Sequence, residues 1–270
     1  MNSKQLAIGV FDSGMGGLTV LKALRARLPQ ESFIYLGDTA RLPYGTKSPD
    51  TVKQYSIQMA KLLVERRVKA LVIACSTATT AALVHLQQTL PDIPVIGVVA
   101  PGAAAAVNVT QNKRILVFAT ETTIASKAYQ DHIAKLLPDA TITTRTCSLL
   151  VALAEEGLTG NSIASEALKY YLNQYQGEDT LILGCTHFPV FIPLLRQLLP
   201  SNVRIVDSAF TTAQTLYTVL KDQDLLTETP LANQINYLVT DSVQRFQIVG
   251  EIFLGERLYS SDIELVDARG

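Results

Sequence analysis

The sequence has little cysteine, little histidine and almost no net charge. Its 270 residues include three cysteines and three histidines, and the formal net charge is −1. Three cysteines do not make a disulfide framework, and a chain without a basic excess is a poor candidate for binding nucleic acid. No apolar run approaches the roughly 18 residues of a membrane-spanning helix, and the first residues lack a signal-peptide pattern. We therefore expect a cytoplasmic protein with no nucleic-acid and no membrane partner.

What the chain does have is an alternation of buried strands and helices. Short apolar runs rich in Val, Ile and Leu predict strands, and helical spacing of apolar residues predicts the segments between them. The predicted strands cover 6–11, 33–37, 70–74, 94–99, 114–119, 140–146, 180–184, 203–207 and 236–240. The predicted helices cover 17–29, a segment capped by Ser48, 76–91, 122–138, 163–175, a segment after Ser208 and a last one from about Asp241.

This order predicts an α/β fold with mostly parallel sheets flanked by helices. The pattern occurs twice along the chain, so we expect two similar α/β units. The stretch "APGAAAAVN" at 100–108 is where we expect the chain to cross from one to the other.

Polar clusters follow several of the predicted strands. They are Asp12-Ser13, Asp38-Thr39, Cys75-Ser76-Thr77 and Cys185-Thr186-His187. Any one of them is explained by helix capping, for which Ser, Thr and Asp are favoured. Ligands of open parallel sheets bind at the carboxyl ends of the strands, so the recurrence of these clusters at that edge favours a functional site.

The turn "VFDSGMGGLTVL" resembles a phosphate-binding loop but fits it poorly. The third glycine of a dinucleotide fingerprint falls on Thr19, and no Gly-Lys-Ser/Thr follows as in a P-loop. The turn instead presents Asp12 and Ser13 beside helix amides, which suit a small anion such as a carboxylate.

Cys75 and Cys185 admit several functions. A zinc site would need more ligands at workable spacing, and no C-x-x-C motif supports a redox pair. One remaining option is a nucleophile–base pair between Cys185 and His187. The other is a pair of thiols facing one substrate atom from opposite sides, in which one removes a proton and the other donates one. We interpret Cys147, which has no basic neighbour, as a small buried hydrophobe.

Together the motifs resemble the cofactor-independent glutamate racemases of bacterial cell-wall synthesis. The matching segments are "IGVFDSGMGGLTVL", "YLGDTARLPYGTKS", "LVIACSTATT", "PVIGVVAPGAAAA", "LILGCTHFPVFIPLL" and "VDSA". The resemblance implies two similar α/β domains with the site in the cleft between them, the first comprising 1–98 with 209–270 and the second 99–208. It also implies glutamate as substrate, neither cofactor nor metal, and a homodimer.

The resemblance also assigns roles to residues. Cys75 would take the proton from D-glutamate and Cys185 from L-glutamate, assisted by Asp12 and His187 respectively. Glu155 would have an auxiliary part. The residues that would bind the substrate are Ser13, Tyr44, Gly45, Ser76, Thr77 and Thr186.

Ser76 departs from the family pattern, which has Asn directly after the first cysteine. A hydroxyl is shorter than an amide and has one donor. This departure is a hint of a racemase for a related acid such as aspartate. A second alternative, of another class, is a protein that keeps the fold but has little activity and acts as a binding or inhibitory partner.

Overall fold

The computed structural model describes residues 3–228 and 234–268, and these form two parallel β-sheets with helices packed against them. The strands are β1 Ile8–Asp12, β2 Phe33–Gly37, β3 Ala70–Ile73, β4 Val95–Gly97, β5 Arg114–Ala119, β6 Thr141–Thr146, β7 Thr180–Gly184, β8 Arg204–Asp207, β9 Ile235–Val239 and β10 Ile263–Leu265. The helices are α1 Leu18–Arg27, α2 Pro49–Glu65, α3 Ser76–Thr89, α4 Val99–Val109, α5 Glu121–Ala125, α6 Ala128–Leu136, α7 Ser148–Glu155, α8 Ser162–Leu172, α9 Ile192–Leu198, α10 Ser208–Asp222 and α11 Val243–Leu254.

The first sheet has the strand order β10-β9-β2-β1-β3-β4, and the second has the order β6-β5-β7-β8. Every neighbouring pair is parallel. Strands β1, β2, β3 and β7 are buried along their whole length, which explains why they are continuous apolar runs rather than alternating ones. The prediction of an α/β fold with mostly parallel sheets is confirmed.

The chain visits the first sheet, then the second, and then returns to the first. Strand β9 pairs with β2, and β10 pairs with β9, so the last part of the chain extends the sheet that the first part began. Helix α10 follows the last strand of the second sheet and packs against both α1 and α4. Side chains of β1 and β5 share one continuous apolar cluster, so the two sheets are joined by a common core.

Local structure follows the sequence signals at most positions. Ser48 caps α2 by accepting a hydrogen bond from Thr51 N at 3.3 Å, and Pro49 occupies the first helical position. The segment 122–138, predicted as one helix, is two helices. They separate at Lys127, whose φ of 57° lies in the left-handed region and carries no glycine or proline signal. The expected crossing at 100–108 lies within helix α4.

Within the described residues, no helix combines the length and the apolar character needed to cross a membrane.

Candidate active site

Cys75 lies two residues after the end of β3 and caps α3. Its Sγ accepts a hydrogen bond from Ala78 N at 3.4 Å. Burial raises the pKa of this thiol to about 12, and the charge of Asp12 adds to the shift. In this arrangement Cys75 is a protonated thiol that can donate to a strongly basic carbon.

Cys185 directly follows β7 in the second sheet and is partly exposed. Its Sγ lies 3.7 Å from His187 Nδ1. The chain then forms a short 3-10 helix, Phe188–Phe191, before α9 begins. Pro189 and Pro193 lie in the first turns of the 3-10 helix and of α9, where a proline is tolerated because its missing N–H has no intrahelical partner to lose. The two cysteines therefore occupy matching strand ends, but an α-helix begins at once only after Cys75.

His187 links Cys185 to Glu155 on α7. Its Nε2 lies 2.6 Å from Glu155 Oε1, and both side chains are buried. Burial alone would lower the pKa of His187, but the hydrogen bonds to Cys185 and Glu155 outweigh it and hold the pKa well above its usual range. These hydrogen bonds therefore favour the charged form of the ring, which lies beside Cys185 Sγ.

Asp12 lies at the end of β1, completely buried. Burial raises the pKa of this carboxyl, partly offset by His187 and by the amides of Gly17 and Gly14. Gly14 N donates to Asp12 Oδ2 at 3.0 Å, and Thr186 Oγ1 donates to Oδ1 at 3.4 Å. The amides of the glycine-rich turn thus bind the protein's own carboxylate, whereas the sequence suggested that they would face an external anion.

A cluster of three threonine hydroxyls joins the two units beside Cys75. Thr77 Oγ1 lies 2.9 Å from Thr120 Oγ1 and 3.1 Å from Thr123 Oγ1. Gly45 packs directly on Thr120, because a Cβ at residue 45 would lie 2.6 Å from Thr120 Cγ2. The close approach of the two units at this edge therefore requires glycine at 45.

The hydroxyl of Tyr44 makes a hydrogen bond within the first unit. The hydroxyl donates to Asp38 Oδ2, and Asp38 also accepts from Arg41 Nε at 2.7 Å and Thr240 Oγ1 at 2.9 Å. Burial raises the pKa of Tyr44 far above its ordinary value. The polar cluster after β2 thus anchors the Tyr44 loop.

One cavity gathers most of the residues singled out from the sequence. Its volume is about 20 Å³, which leaves room for about one water molecule. Its lining residues are Ser13, Pro43, Tyr44, Gly45, Cys75, Ser76, Thr77, Thr120, Val151, Cys185, Thr186 and His187. Asp12 and Glu155 do not line it, but they contact two residues that do, Thr186 and His187. Cys147 lies elsewhere, with Sγ donating to Arg145 O at 3.4 Å.

Sequence reasoning missed Pro43, Thr120 and Val151 in this lining. Thr120 follows β5 directly, so the same strand-end rule that selected the other clusters could have found it. Val151 lies on α7, which was not predicted as a helix, and nothing in its sequence context marks it. Among the described residues, no group of three or more His, Cys, Asp or Glu side chains is placed to hold a metal ion.

Comparison with known proteins gives one family. The family model for Asp/Glu/hydantoin racemases matches residues 18–216. A curated glutamate racemase from Geobacter metallireducens is 48% identical over 254 residues, covering 93% of this chain and 94% of that protein.

Solved structures agree with this result. A glutamate racemase isoform from Bacillus anthracis superposes with a TM-score of 0.92 at 37% identity, covering 98% of each chain. The glutamate racemase of Francisella tularensis, solved in complex with D-glutamate, gives a TM-score of 0.91 at 36% identity, covering 98% of this chain and 99% of that one.

Proposed function

The chain belongs to the Asp/Glu/hydantoin racemase family and racemises glutamate, and we propose that it does so with two thiols, Cys75 and Cys185, acting on opposite faces of the α-carbon. The product D-glutamate serves peptidoglycan synthesis. The reaction needs no pyridoxal phosphate in this scheme, because both proton transfers are made by side chains of the protein.

One observation carries this proposal: both thiols line the same cavity, although they come from different sheets. Racemisation requires a proton to leave one face of a carbon and another to arrive on the opposite face. Two acid/base groups supplied by two walls of one cavity meet that requirement, and a single nucleophilic thiol would not.

In the L-to-D direction, Cys185 is the base and Cys75 is the acid. The Cα–H bond breaks, the proton goes to the Cys185 thiolate, and the electron pair stays on the α-carbon and its carboxylate. The S–H bond of Cys75 then breaks, and its proton forms the new Cα–H bond on the other face. The His187 imidazolium supplies the countercharge that a Cys185 thiolate needs.

In the D-to-L direction the two thiols exchange roles. A thiolate at Cys75 is costly here, because burial and Asp12 raise the pKa of this thiol. The amide of Ala78 at the start of α3 offsets part of that cost. We infer that the ammonium group of bound substrate supplies the remaining countercharge.

Hydroxyl and amide groups of the cavity can donate to the two carboxylates of glutamate, and hydroxyl oxygens can accept from its ammonium group. We propose that Ser13, Ser76, Thr77, Thr186 and the Tyr44–Gly45 loop bind these groups. Fixed donors around the α-carboxylate stabilise the charge that develops when the proton leaves. A cavity of about 20 Å³ is too small for glutamate, so the substrate must enter when the walls separate.

The separation is best described as a movement between two domains. We propose that 1–98 with 209–270 form one domain and 99–208 the other. The chain passes between the two sheets at α4 and again at the start of α10, so these two connections would act as the hinge.

The proposal is tested with purified, metal-free protein and L-glutamate in deuterated water. We expect the circular-dichroism signal of L-glutamate to decay while proton NMR records deuterium entering the α-position. Cys75→Ala and Cys185→Ala should each abolish the decay. Cys147→Ala is the matched control, because it removes the third thiol outside the cavity and should keep turnover. Full turnover in either of the first two variants would disprove the two-thiol mechanism.

Ser76 gives a reason to test substrate choice directly. Turnover of L-glutamate and L-aspartate should be compared under the same conditions, and we expect glutamate to be the preferred substrate. Preference for aspartate would mean that the shorter residue has changed the specificity. Lack of turnover with both acids would favour a binding or inhibitory protein.

We further propose that the protein works in the cytoplasm as a homodimer. Both catalytic thiols must stay reduced, which suits a reducing compartment. Phe210 on α10 is 72% exposed, an apolar surface that a second copy could cover. Sedimentation equilibrium would measure the assembly, and a monomer at micromolar concentration would contradict the dimer.

A further inference from the structure

Helix α11 packs on the first sheet, yet two of its side chains reach the His187–Glu155 pair. The ring of Phe246 anchors the helix, with centroids 6.0 Å from both Tyr35 of β2 and Tyr237 of β9. On the other side, Phe253 lies edge-on to the His187 ring at 5.1 Å. Arg245 Nη2 lies 3.8 Å from Glu155 Oε2.

Arg245 makes two further contacts at the end of α7. Its Nη2 donates to the backbone oxygen of Glu155 at 3.3 Å and to Glu156 Oε1 at 3.2 Å. A cation that binds the last carbonyls of a helix stabilises that end. The simplest role of Arg245 would therefore be to cap α7.

The contact with Arg245 also affects the side chain of Glu155. This carboxylate is buried, its Oε1 binds His187, and its Oε2 accepts no hydrogen bond from the described residues. A buried charged oxygen without a partner is costly, and Arg245 is the cation that faces it. Glu155 is thus both the last residue of α7, the helix that Arg245 caps, and the hydrogen-bond partner of His187.

We propose that Arg245 is a positioning residue for racemisation: by fixing the end of α7, it holds Glu155 against His187 and keeps His187 Nδ1 directed at Cys185. This inference rests on the proposed function, because it acts through the acid/base partner of Cys185. The contact also joins the two units, since α11 packs on the first sheet and α7 precedes a strand of the second. The set of contacts from Cys185 through His187 and Glu155 to Arg245 is therefore complete only when the two units are in contact.

The charge of His187 should report on Arg245. The titratable groups that face His187 are Cys185, Glu155 and Asp12, and its contact on α11 is the uncharged Phe253. If Glu155 loses its position, His187 loses a hydrogen bond that favours its charged form. The basic limb of the pH profile of kcat/KM should then move to lower pH, because the imidazolium is needed beside a Cys185 thiolate.

The experiment compares Arg245→Ala, Arg245→Lys, Glu155→Gln and the double variant Arg245→Ala/Glu155→Gln in the full chain. We expect Arg245→Ala to lower kcat roughly 10-fold with little change in KM, as misplacement of a catalytic group does, and to shift the basic limb to lower pH. Arg245→Lys should recover part of kcat, because it keeps the charge but not the planar fork. In the Glu155→Gln background, Arg245→Ala should cause no further loss, since groups that act through one another are not additive.

Glu156→Gln is the matched control. It removes the exposed partner of Arg245 and leaves Glu155 in place, so we expect kcat close to that of the parent protein. A loss equal to that of Arg245→Ala would show that only the surface contact matters and would overturn the proposal. Losses that multiply in the double variant, or an Arg245→Ala variant with unchanged kcat and pH profile, would also overturn it.

These outcomes are separable from the proposed function. If the parent protein racemises glutamate, and Cys75→Ala and Cys185→Ala abolish turnover while the Arg245 variants behave like the parent, only the positioning inference fails. If Arg245→Ala does not fold, Arg245→Lys carries the test through its kcat and its pH profile.

Discussion

His187 Nε2 and Glu155 Oε1 lie 2.6 Å apart, and neither side chain is appreciably exposed to water. The same imidazole reaches Cys185 through its other nitrogen. A buried carboxylate thus holds one nitrogen of the imidazole whose other nitrogen faces Cys185, and with Cys185 it favours the charged form of the ring. The family resemblance implies only an auxiliary part for Glu155, and the structure places this residue in direct contact with His187.

Glu155→Gln should lower the stability in a pH-dependent way. The folded-state pKa of His187 is raised above its usual range, so its stabilising effect is fully present below about pH 6.5 and is lost as the pH rises through the folded pKa. The variant should lose roughly 1–2 kcal/mol of unfolding free energy near pH 6, because the hydrogen bond to a charged acceptor is replaced by a neutral one.

Urea denaturation of both proteins at a series of pH values measures this difference. It should shrink as the pH rises above neutrality. A difference that stays constant from pH 6 to pH 10 would mean that His187 is not charged in the folded protein.

The three cysteines should differ in their rates of alkylation. Burial raises the pKa of Cys75 to about 12 and that of Cys147 still higher, and only a thiolate reacts readily. Cys185 is partly exposed and has an imidazolium beside it. Iodoacetamide at pH 7.5 should therefore label Cys185 first, as peptide mapping by mass spectrometry would record. Labelling of Cys75 at the same rate would contradict the environment described for it.

Most of the residues that line the candidate cavity could be selected from the sequence, because ligands of parallel sheets bind at the carboxyl ends of the strands. Asp12 ends a strand, and Cys75, Cys185 and His187 lie within three residues of a strand end; all of these strands are visible as apolar runs. The sequence alone could not show which of these side chains are in contact. Glu155 is 32 residues from His187, and their contact depends on how α7 packs against the 3-10 helix Phe188–Phe191 that follows β7.

Two other features could not be predicted from the sequence. The break between α5 and α6 depends on Lys127, whose backbone is in the left-handed region. A lysine gives no sequence signal for that conformation. Arg245 was not singled out, because an arginine on an amphipathic helix is normally a solvated surface residue. Only the tertiary structure brings it to a buried carboxylate on the other unit.

The buried pair Lys69–Glu31 should matter for stability but not for catalysis. Lys69 Nζ lies 2.5 Å from Glu31 Oε2 and donates to Lys4 O, Leu225 O and Thr227 Oγ1. Lys69→Met leaves a buried carboxylate without its cation, which typically costs about 3–5 kcal/mol. Denaturant unfolding should record that loss, while kcat of the folded fraction should stay unchanged. A loss below about 1 kcal/mol would show that the carboxylate is compensated elsewhere.

Gly16→Ala should inactivate the enzyme by displacing His187. A Cβ at residue 16 would lie 2.6 Å from both His187 Cε1 and Thr186 Oγ1, closer than folded side chains tolerate. Since both neighbours belong to the loop after β7, the added methyl group must push that loop away from the first unit. We expect kcat to fall on the order of 100-fold, the size of effect that a displacement of about 1 Å produces.

Gly160→Ala is the matched control for this substitution, because a Cβ at residue 160 meets no atom within 4 Å. Its kcat should equal that of the parent protein. If Gly16→Ala kept full activity, the loop bearing Cys185 and His187 could retreat without cost, and the close approach of Gly16 would not be needed for catalysis. If instead kcat falls while the unfolding midpoint changes little, the loss arises from a displaced imidazole. The glycine at position 16 of the turn would then be needed because it lets His187 approach Asp12.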